Sequence, residues 1–155
     1  MSFQINTIKK VIIFNIKNFR SIIEMPTIDA FNRQLMGLAK SLYEIIPNDD
    51  TIEKAYKNLE WFIEMCPEMP INLFKSKVYD EYRTKILEKD ETFFLSFDGD
   101  SFNEDISAYT SVDKNDIINL IKTYWNSFSQ EQKEIIWKMV RNLIKLCDKY
   151  CEENR

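Results

Sequence analysis

Carboxylates concentrate in one short segment, and they are the residues in this chain best placed to do chemistry. The segment contains Asp98, Asp100, Glu104 and Asp105. Oxygen ligands of this kind can bind a hard cation such as Ca²⁺ or Mg²⁺. The EF-hand spacing fails, however, because counting from Asp98 the glycine position holds Asn103 and the bidentate acidic position holds Tyr109. We therefore predict a solvated acidic loop and no metal site.

The same region resembles a known catalytic motif. The run Phe93-Phe94-Leu95-Ser96-Phe97-Asp98-Gly99-Asp100 is similar to the first motif of haloacid-dehalogenase-type phosphatases. That resemblance implies a nucleophilic Asp98, a general acid at Asp100 and bound magnesium, supported by a lysine and further carboxylates from a parallel α/β sheet. No alternation of strands and helices surrounds the motif, so a metal-dependent phosphatase through Asp98 and Asp100 ranks third among the functions considered.

Other catalytic classes lack their residues. The chain has no histidine, which excludes Ser-His and Cys-His nucleophiles, and only two glycines, which weakens any glycine-rich phosphate loop. The three cysteines, Cys66, Cys147 and Cys151, are read as reduced structural thiols, with a redox or inter-subunit role as the alternative. We predict no catalytic residue, no metal and no cofactor.

Composition indicates a folded single domain spanning residues 1–155. Apolar residues make up 45% of the chain and aromatic residues 14%, enough for a substantial core despite 30% charged residues. The longest apolar runs have four residues, too few for a membrane span. The N-terminal stretch lacks a cleavage-site pattern, so we expect an intracellular protein, and for a viral one the host cytoplasm or the virion.

Apolar spacing predicts helices through most of the chain. The clearest stripe steps by three or four from Ile28 to Ile45, which fits a bundle helix better than a short coiled-coil seam. Thr27, Asp50 and Ser129 are the predicted N-terminal caps, and Pro70 is expected to begin a fourth helix. Residues 7–24 fit a helix by their register and a strand by their β-branching, and segment 1–26 could stand apart from the bundle.

We therefore predict an all-α, single-domain bundle of five or six helices with an irregular acidic segment near residues 90–111, mobile over residues 98–111. The predicted core is Leu35, Leu38, Leu59, Phe62, Leu120 and Leu143.

The aromatic content suggests how such a bundle functions. Trp and Tyr dominate contact energy at protein interfaces, and a turn between two capped helices can present them outward. We expect an exposed interface made of Tyr124, Trp125, Phe128, Trp137, Phe93, Phe94 and Phe97. The leading hypothesis is a non-enzymatic protein-interaction or assembly protein that binds a protein partner or itself.

Nucleic-acid binding is the alternative. Lys138, Arg141 and Lys145 form a basic row on the last predicted helix, and the Trp61-Phe62 pair or the other tryptophans could stack on bases. The charge distribution opposes this, because residues 26–113 carry nine basic and eighteen acidic side chains.

One resemblance indicates a source. The stretch from Tyr124 to Lys138, which places an aromatic residue before a short turn and an Ile-Trp-Lys step after it, resembles the C-terminal helical hairpin of small uncharacterised proteins of nucleocytoplasmic large DNA viruses. The preceding Phe93-Phe94-Leu95 is similar as well. The chain also has 21 Ile, 13 Asn and 16 Lys against five Arg, as an AT-rich genome would encode. The resemblance implies a viral protein and no catalytic residues.

Overall fold

A computed structural model describes residues 5–13, 25–46, 49–96 and 114–155, and within these ranges the chain forms helices and no strands. The elements are α1 (5–13), α2 (Thr27–Ile45), α3 (Asp50–Met65), α4 (Met69–Phe74), a π-helical turn (Lys75–Tyr79), α5 (Asp80–Leu87), α6 (Glu91–Ser96), α7 (Lys114–Trp125) and α8 (Gln130–Glu153). The predicted all-α class is confirmed.

Helices α2 and α8 form the centre of the bundle. Helix α8 has 24 residues, a length of about 36 Å, and α2 packs along it. The two run antiparallel, because Thr27 at the start of α2 donates to the Glu153 carboxylate at 2.8 Å, while Ser41 contacts the Met139 sulfur at 3.6 Å. Helices α3, α4 and α5 pack around this pair.

The apolar core has two clusters. The first contains Ile46, Ile52, Trp125, Phe128, Ile136 and Trp137. The second is centred on Phe31, Ile71 and Leu143, with Phe31 and Ile71 fully buried. These clusters lie at opposite ends of the α2–α8 contact, so the long helices are held at both ends.

The predicted core residues are only partly right. Phe62 and Leu143 are buried, as expected. Four others are half-buried, because α2, α3 and α7 present edges of their apolar stripes to neighbouring helices: Leu35, Leu38, Leu59 and Leu120. Fully buried residues that the core prediction did not include are Trp125, Phe31, Ile46, Ile71, Ile144 and Cys147.

The helix caps test three local predictions. Ser129 forms the predicted capping box, in which its hydroxyl accepts from the Gln132 backbone and the Gln132 amide oxygen accepts from the Ser129 backbone. Asp50 is not a cap, since Asp49 precedes it and accepts from the Thr51 N–H at 2.8 Å. Thr27 is already helical and uses its hydroxyl for the tertiary bond to Glu153.

The predicted fourth helix is continuous from Met69 to Leu87 but includes a π-helical turn. Beside this turn, Tyr79 donates a hydrogen bond to Asp148 of α8, and Arg83 makes two more to the same carboxylate at 3.0 and 2.9 Å. The wider turn brings Tyr79 and Arg83 onto the same carboxylate. The α4–α5 segment is thereby fixed to α8.

The segment predicted to be irregular from residue 90 begins with a helix. Helix α6 occupies Glu91–Ser96, so the expectation of irregular structure from residue 90 is wrong there, because Asp90 accepts from the Phe93 N–H and starts a helical turn. The predicted mobile loop at residues 98–111 lies outside the described residues. At the N-terminus, residues 5–13 are helical, so the strand alternative is wrong over that range.

Candidate protein-interaction surface

The aromatic residues predicted to be exposed at the α7–α8 turn are mostly core. Trp125 is 1% exposed, Phe128 6% and Trp137 8%. The expectation that these three rings face solvent is therefore wrong. The turn between α7 and α8 folds its rings inward because α6 supplies a further apolar surface for them to pack on.

Ring geometry shows how this cluster is built. Trp125 and Trp137 meet edge to face, with centroids 5.9 Å apart, and Phe128 lies 6.0 Å from Trp125 in a similar arrangement. Phe94 of α6 completes the cluster at 4.9 Å from Trp125. Such edge-to-face contacts add stability beyond the area they bury. The four rings are thus a structural unit.

A polar group also holds this cluster. The Trp125 indole N–H donates to the Glu91 carboxylate, and Lys133 contacts the same carboxylate at 3.3 Å. The hydrogen bond from Trp125, together with Lys133, lowers the pKa of Glu91. Lys133 also lies over the Trp125 ring, 5.4 Å from its centroid. This network fixes α6 against the α7–α8 turn.

The remaining predicted interface residues have mixed positions. Phe93 is half-buried against Tyr82 at a centroid distance of 4.8 Å. Tyr124 is half-buried beside the first core cluster. Phe97 lies outside the described residues. The set is therefore not one exposed patch.

Exposed apolar side chains occur instead on α3. Trp61 is 47% exposed and Met65 is 62% exposed, and their four-residue spacing places them side by side on the helix. The Trp61 ring rests edge to face on buried Phe62, 6.1 Å away, so the fold supports its position. A signal for this patch was present in the sequence, since Trp61 lies off the stripe that contains Leu59 and Phe62.

The patch on α3 has an acidic border. Glu60 and Glu64 are exposed next to Trp61 and Met65, and no ion pair formed within the described ranges engages either carboxylate. Lys57, one turn before Glu60 on the same helix, is bound to Glu53 at 3.0 Å. The surface therefore combines a large ring, a flexible thioether and uncompensated negative charge.

Helix α1 is a second exposed apolar surface. Each of its aliphatic side chains is more than half exposed: Ile5, Ile8, Val11, Ile12 and Ile13. It carries Lys9 and Lys10 and no acidic residue. In the described part of the chain, this helix leaves its apolar side uncovered.

The predicted basic row lies on the outer side of α8. Lys138 and Lys145 are exposed, and Arg141 is half-buried, with its Nε atom buried and without a hydrogen-bond partner in the described structure. Glu134 shares this side and is bound by Lys89 at 2.8 Å. Binding of nucleic acid by this row stays a prediction.

The structure bears on two chemical sites considered from the sequence, the phosphatase motif at Asp98 and Asp100 and the cysteine thiols. Asp98 and Asp100 lie outside the described residues, but α6 is a helix where the phosphatase motif requires a strand. Cys147 is fully buried, and burial together with neighbouring Cys151 raises the pKa of the Cys147 thiol to about 12. Within the described ranges, no cluster of three or more potential metal ligands occurs.

A cleft of about 720 Å³ lies between the start of α2 and the end of α8. Thr27, Asn72, Tyr150 and Glu153 line it. These groups bind one another, because Thr27 donates to Glu153 and the Tyr150 hydroxyl donates to Asn72 at 2.9 Å. The polar groups of the cleft therefore hold α2 and α4 to the end of α8, and we do not assign a ligand to it.

Comparison with known proteins gives two similar sequences, both uncharacterised proteins of African swine fever virus. The chain is 25% identical over 118 residues to the protein of a Kenyan pig isolate and 28% identical over 118 residues to that of a Malawian tick isolate. Each alignment covers 76% of this chain and 86% of the relative. The relatives come from a large DNA virus, which supports the viral resemblance without indicating a function.

No protein-family profile matches the chain, and no solved structure matches it. Among the described helices, none is both long and apolar enough to cross a membrane.

Proposed function

We propose that the protein is a non-enzymatic viral protein that binds another protein, or itself, during assembly or another intracellular step of infection. The observation that carries the proposal is the α3 patch, in which Trp61 and Met65 remain exposed although the bundle has two buried apolar clusters. Tryptophan is enriched among the residues that dominate binding energy, and methionine adapts to irregular partner surfaces.

The position of Trp61 strengthens this reasoning. Its ring is supported by Phe62 and is therefore presented in a defined orientation, which lowers the entropy lost on binding. The buried Trp125, Phe128 and Trp137 support the fold beneath. Of the predicted interface residues that the structure describes, Phe93, Phe94 and Tyr124 are half-buried. Phe94 packs on Trp125 and Trp137, so Phe93 and Tyr124 are the ones that can contribute ring edges to a partner.

The test is proximity labelling or pull-down from infected cells with the wild-type chain and a Trp61→Ala/Met65→Ala variant. We expect the variant to fold and to lose specific partners. The control is Ile135→Ala, which removes an exposed apolar side chain from α8. Partner sets that are the same for wild type and the α3 variant would contradict the proposal.

A nucleic-acid-associated role is the second proposal. It rests on Lys138 and Lys145, which are exposed two turns apart on α8 and have no ion pair within the described residues. The phosphatase through Asp98 and Asp100, ranked third from the sequence, is disfavoured because α6 is helical where its motif requires a strand.

A further inference from the structure

We infer that the α3 patch binds helix α1 of a second copy of this chain, so that two copies exchange their N-terminal helices. This inference rests on the proposed function and names its partner and its contact. It joins two surfaces that the structure leaves open, the patch at Trp61 and Met65 and the aliphatic side of α1.

Chemical complementarity is the first argument. Helix α1 offers aliphatic side chains with two lysines and no acidic residue, whereas the α3 patch offers Trp61 and Met65 bordered by Glu60 and Glu64. No ion pair within the described ranges engages these lysines or these glutamates. Each surface can therefore cover the exposed apolar side chains of the other, and the lysines of α1 can pair with the glutamates of α3.

The positions of the charged residues around α1 and α3 predict which lysine and which glutamate form a pair. With about 100° between successive residues of a helix, Ile5, Ile8 and Ile12 share one stripe. Lys9 lies beside that stripe, and Lys10 lies on the opposite side of α1. On α3, Glu64 lies one turn from Trp61 and adjacent to Met65. When the apolar rows face each other with the two helices parallel, Lys9 and Glu64 lie on the same side of the contact, and Lys10 points away.

The structure favours a second copy over the same chain. All five aliphatic side chains of α1 are more than half exposed within the single chain, so α1 does not cover its own α3 patch there. A reciprocal exchange contains the contact twice and satisfies both patches in one closed, two-fold pair. Doubling a helix-sized contact also brings the buried area toward the range of stable interfaces, about 1,200–2,000 Å² in total.

The test measures mass by sedimentation equilibrium and light scattering on the full chain over a wide concentration range. We expect a dimer for the wild type. Trp61→Ala should raise the dimer dissociation constant at least about tenfold. Lys9→Glu should weaken the dimer severalfold, and the Lys9→Glu/Glu64→Lys pair should recover most of the loss.

Lys10→Glu is the matched control, because it makes the same charge change on the other side of α1 and should leave the dimer intact. Circular dichroism of every variant checks that the bundle is folded. A dimer that responds equally to Lys9→Glu and Lys10→Glu, or that ignores Trp61→Ala, would overturn the exchange.

The outcomes also separate this inference from the proposed function. A chain that is monomeric at every concentration but still binds another protein through Trp61 overturns the second-copy inference and leaves the proposed function standing. A chain that neither dimerises nor binds a protein overturns both.

Discussion

The three tryptophans of this chain occupy two kinds of environment. Trp125 and Trp137 are enclosed by other rings, and the Trp125 indole N–H has a carboxylate partner in Glu91. Trp61 rests on Phe62 but keeps about half of its surface in solvent. Residue type alone does not separate these roles, since the same ring can stabilise a core or an interface.

The first prediction uses this difference. Trp125→Ala should lower the free energy of unfolding by about 3–5 kcal/mol, because it empties a buried aromatic site and removes the indole donor to Glu91, which keeps only Lys133. Trp61→Ala should change it by less than about 1 kcal/mol. Urea unfolding of both variants against wild type measures the effect. Equal losses for the two variants would show that Trp61 is also part of the core.

A second prediction at this scale concerns pH. Hydrogen bonds from Arg83 and Tyr79 lower the pKa of Asp148 below its ordinary value. A carboxyl group whose pKa is lowered by folding stabilises the protein above its unfolded pKa and loses that contribution as pH falls through the folded value. The wild type should therefore lose stability below about pH 4.

Asp148→Asn should start less stable at pH 7 and show a shallower loss between pH 5 and 2.5. Glu152→Gln, at the exposed end of α8, is the control and should keep the wild-type slope. Parallel acid slopes for the wild type and Asp148→Asn would contradict this account.

On the alkaline side, the hydrogen bond to Asp148 raises the pKa of Tyr79 from 10.0 to about 12. The contribution of this hydrogen bond to stability is full below about pH 10 and is lost as the pH rises toward 12.

At the scale of elements, the caps give the third prediction. Asp49→Ala should destabilise the protein by about 1 kcal/mol, because the Thr51 N–H loses its acceptor. Asp50→Ala, one position later and inside the helix, should cost a few tenths through the helix dipole alone. Thermal unfolding of the two variants compares neighbouring acidic residues of the same type. A larger loss for Asp50→Ala would restore the sequence-based cap.

The sequence predicted the positions and boundaries of the helices better than it predicted the burial of individual residues. Three- and four-residue spacing located α2 and α8, and proline and capping signals located the boundaries at Cys66 and Ser129. The burial of individual residues was harder, because it depends on which neighbour each stripe meets. Leu38 follows the α2 stripe yet is half-buried, whereas Phe31 sits where α4 and α8 converge on α2.

The interaction surface was the least predictable feature. The aromatic content predicted exposed rings at the α7–α8 hairpin, but the short helix α6 was not expected, and its Phe94 packs on that hairpin and makes its rings part of the core. Burial of that hairpin left Trp61 as the exposed tryptophan. Such long-range packing is not encoded in local spacing.

At the scale of the whole molecule, the fourth prediction separates the two leading functions. Lys138 and Lys145 face outward on α8, whereas the middle of the chain carries the excess of acidic residues. We expect no tight binding to single- or double-stranded DNA or RNA at physiological ionic strength, because nucleic-acid binding requires a concentrated basic surface. Fluorescence anisotropy over a salt series measures this.

A tight complex whose affinity falls steeply with salt would favour the second proposal instead, since neutralised phosphates release counterions. Lys138→Glu/Lys145→Glu should then abolish it. The control is Lys54→Glu, an exposed lysine on α3.

The antiparallel pairing of α2 with α8 has a consequence for how the chain is made. Thr27 and Glu153 are bonded across 126 positions of sequence, so α2 is synthesised long before its principal partner. At about 5–20 residues per second, the ribosome needs about 6–25 s to produce the intervening chain. During that interval the face of α2 that includes Phe31 has no α8 to cover it. The nascent chain therefore presents to chaperones an apolar helix that the finished molecule hides, and the bundle closes only after α8 has left the exit tunnel.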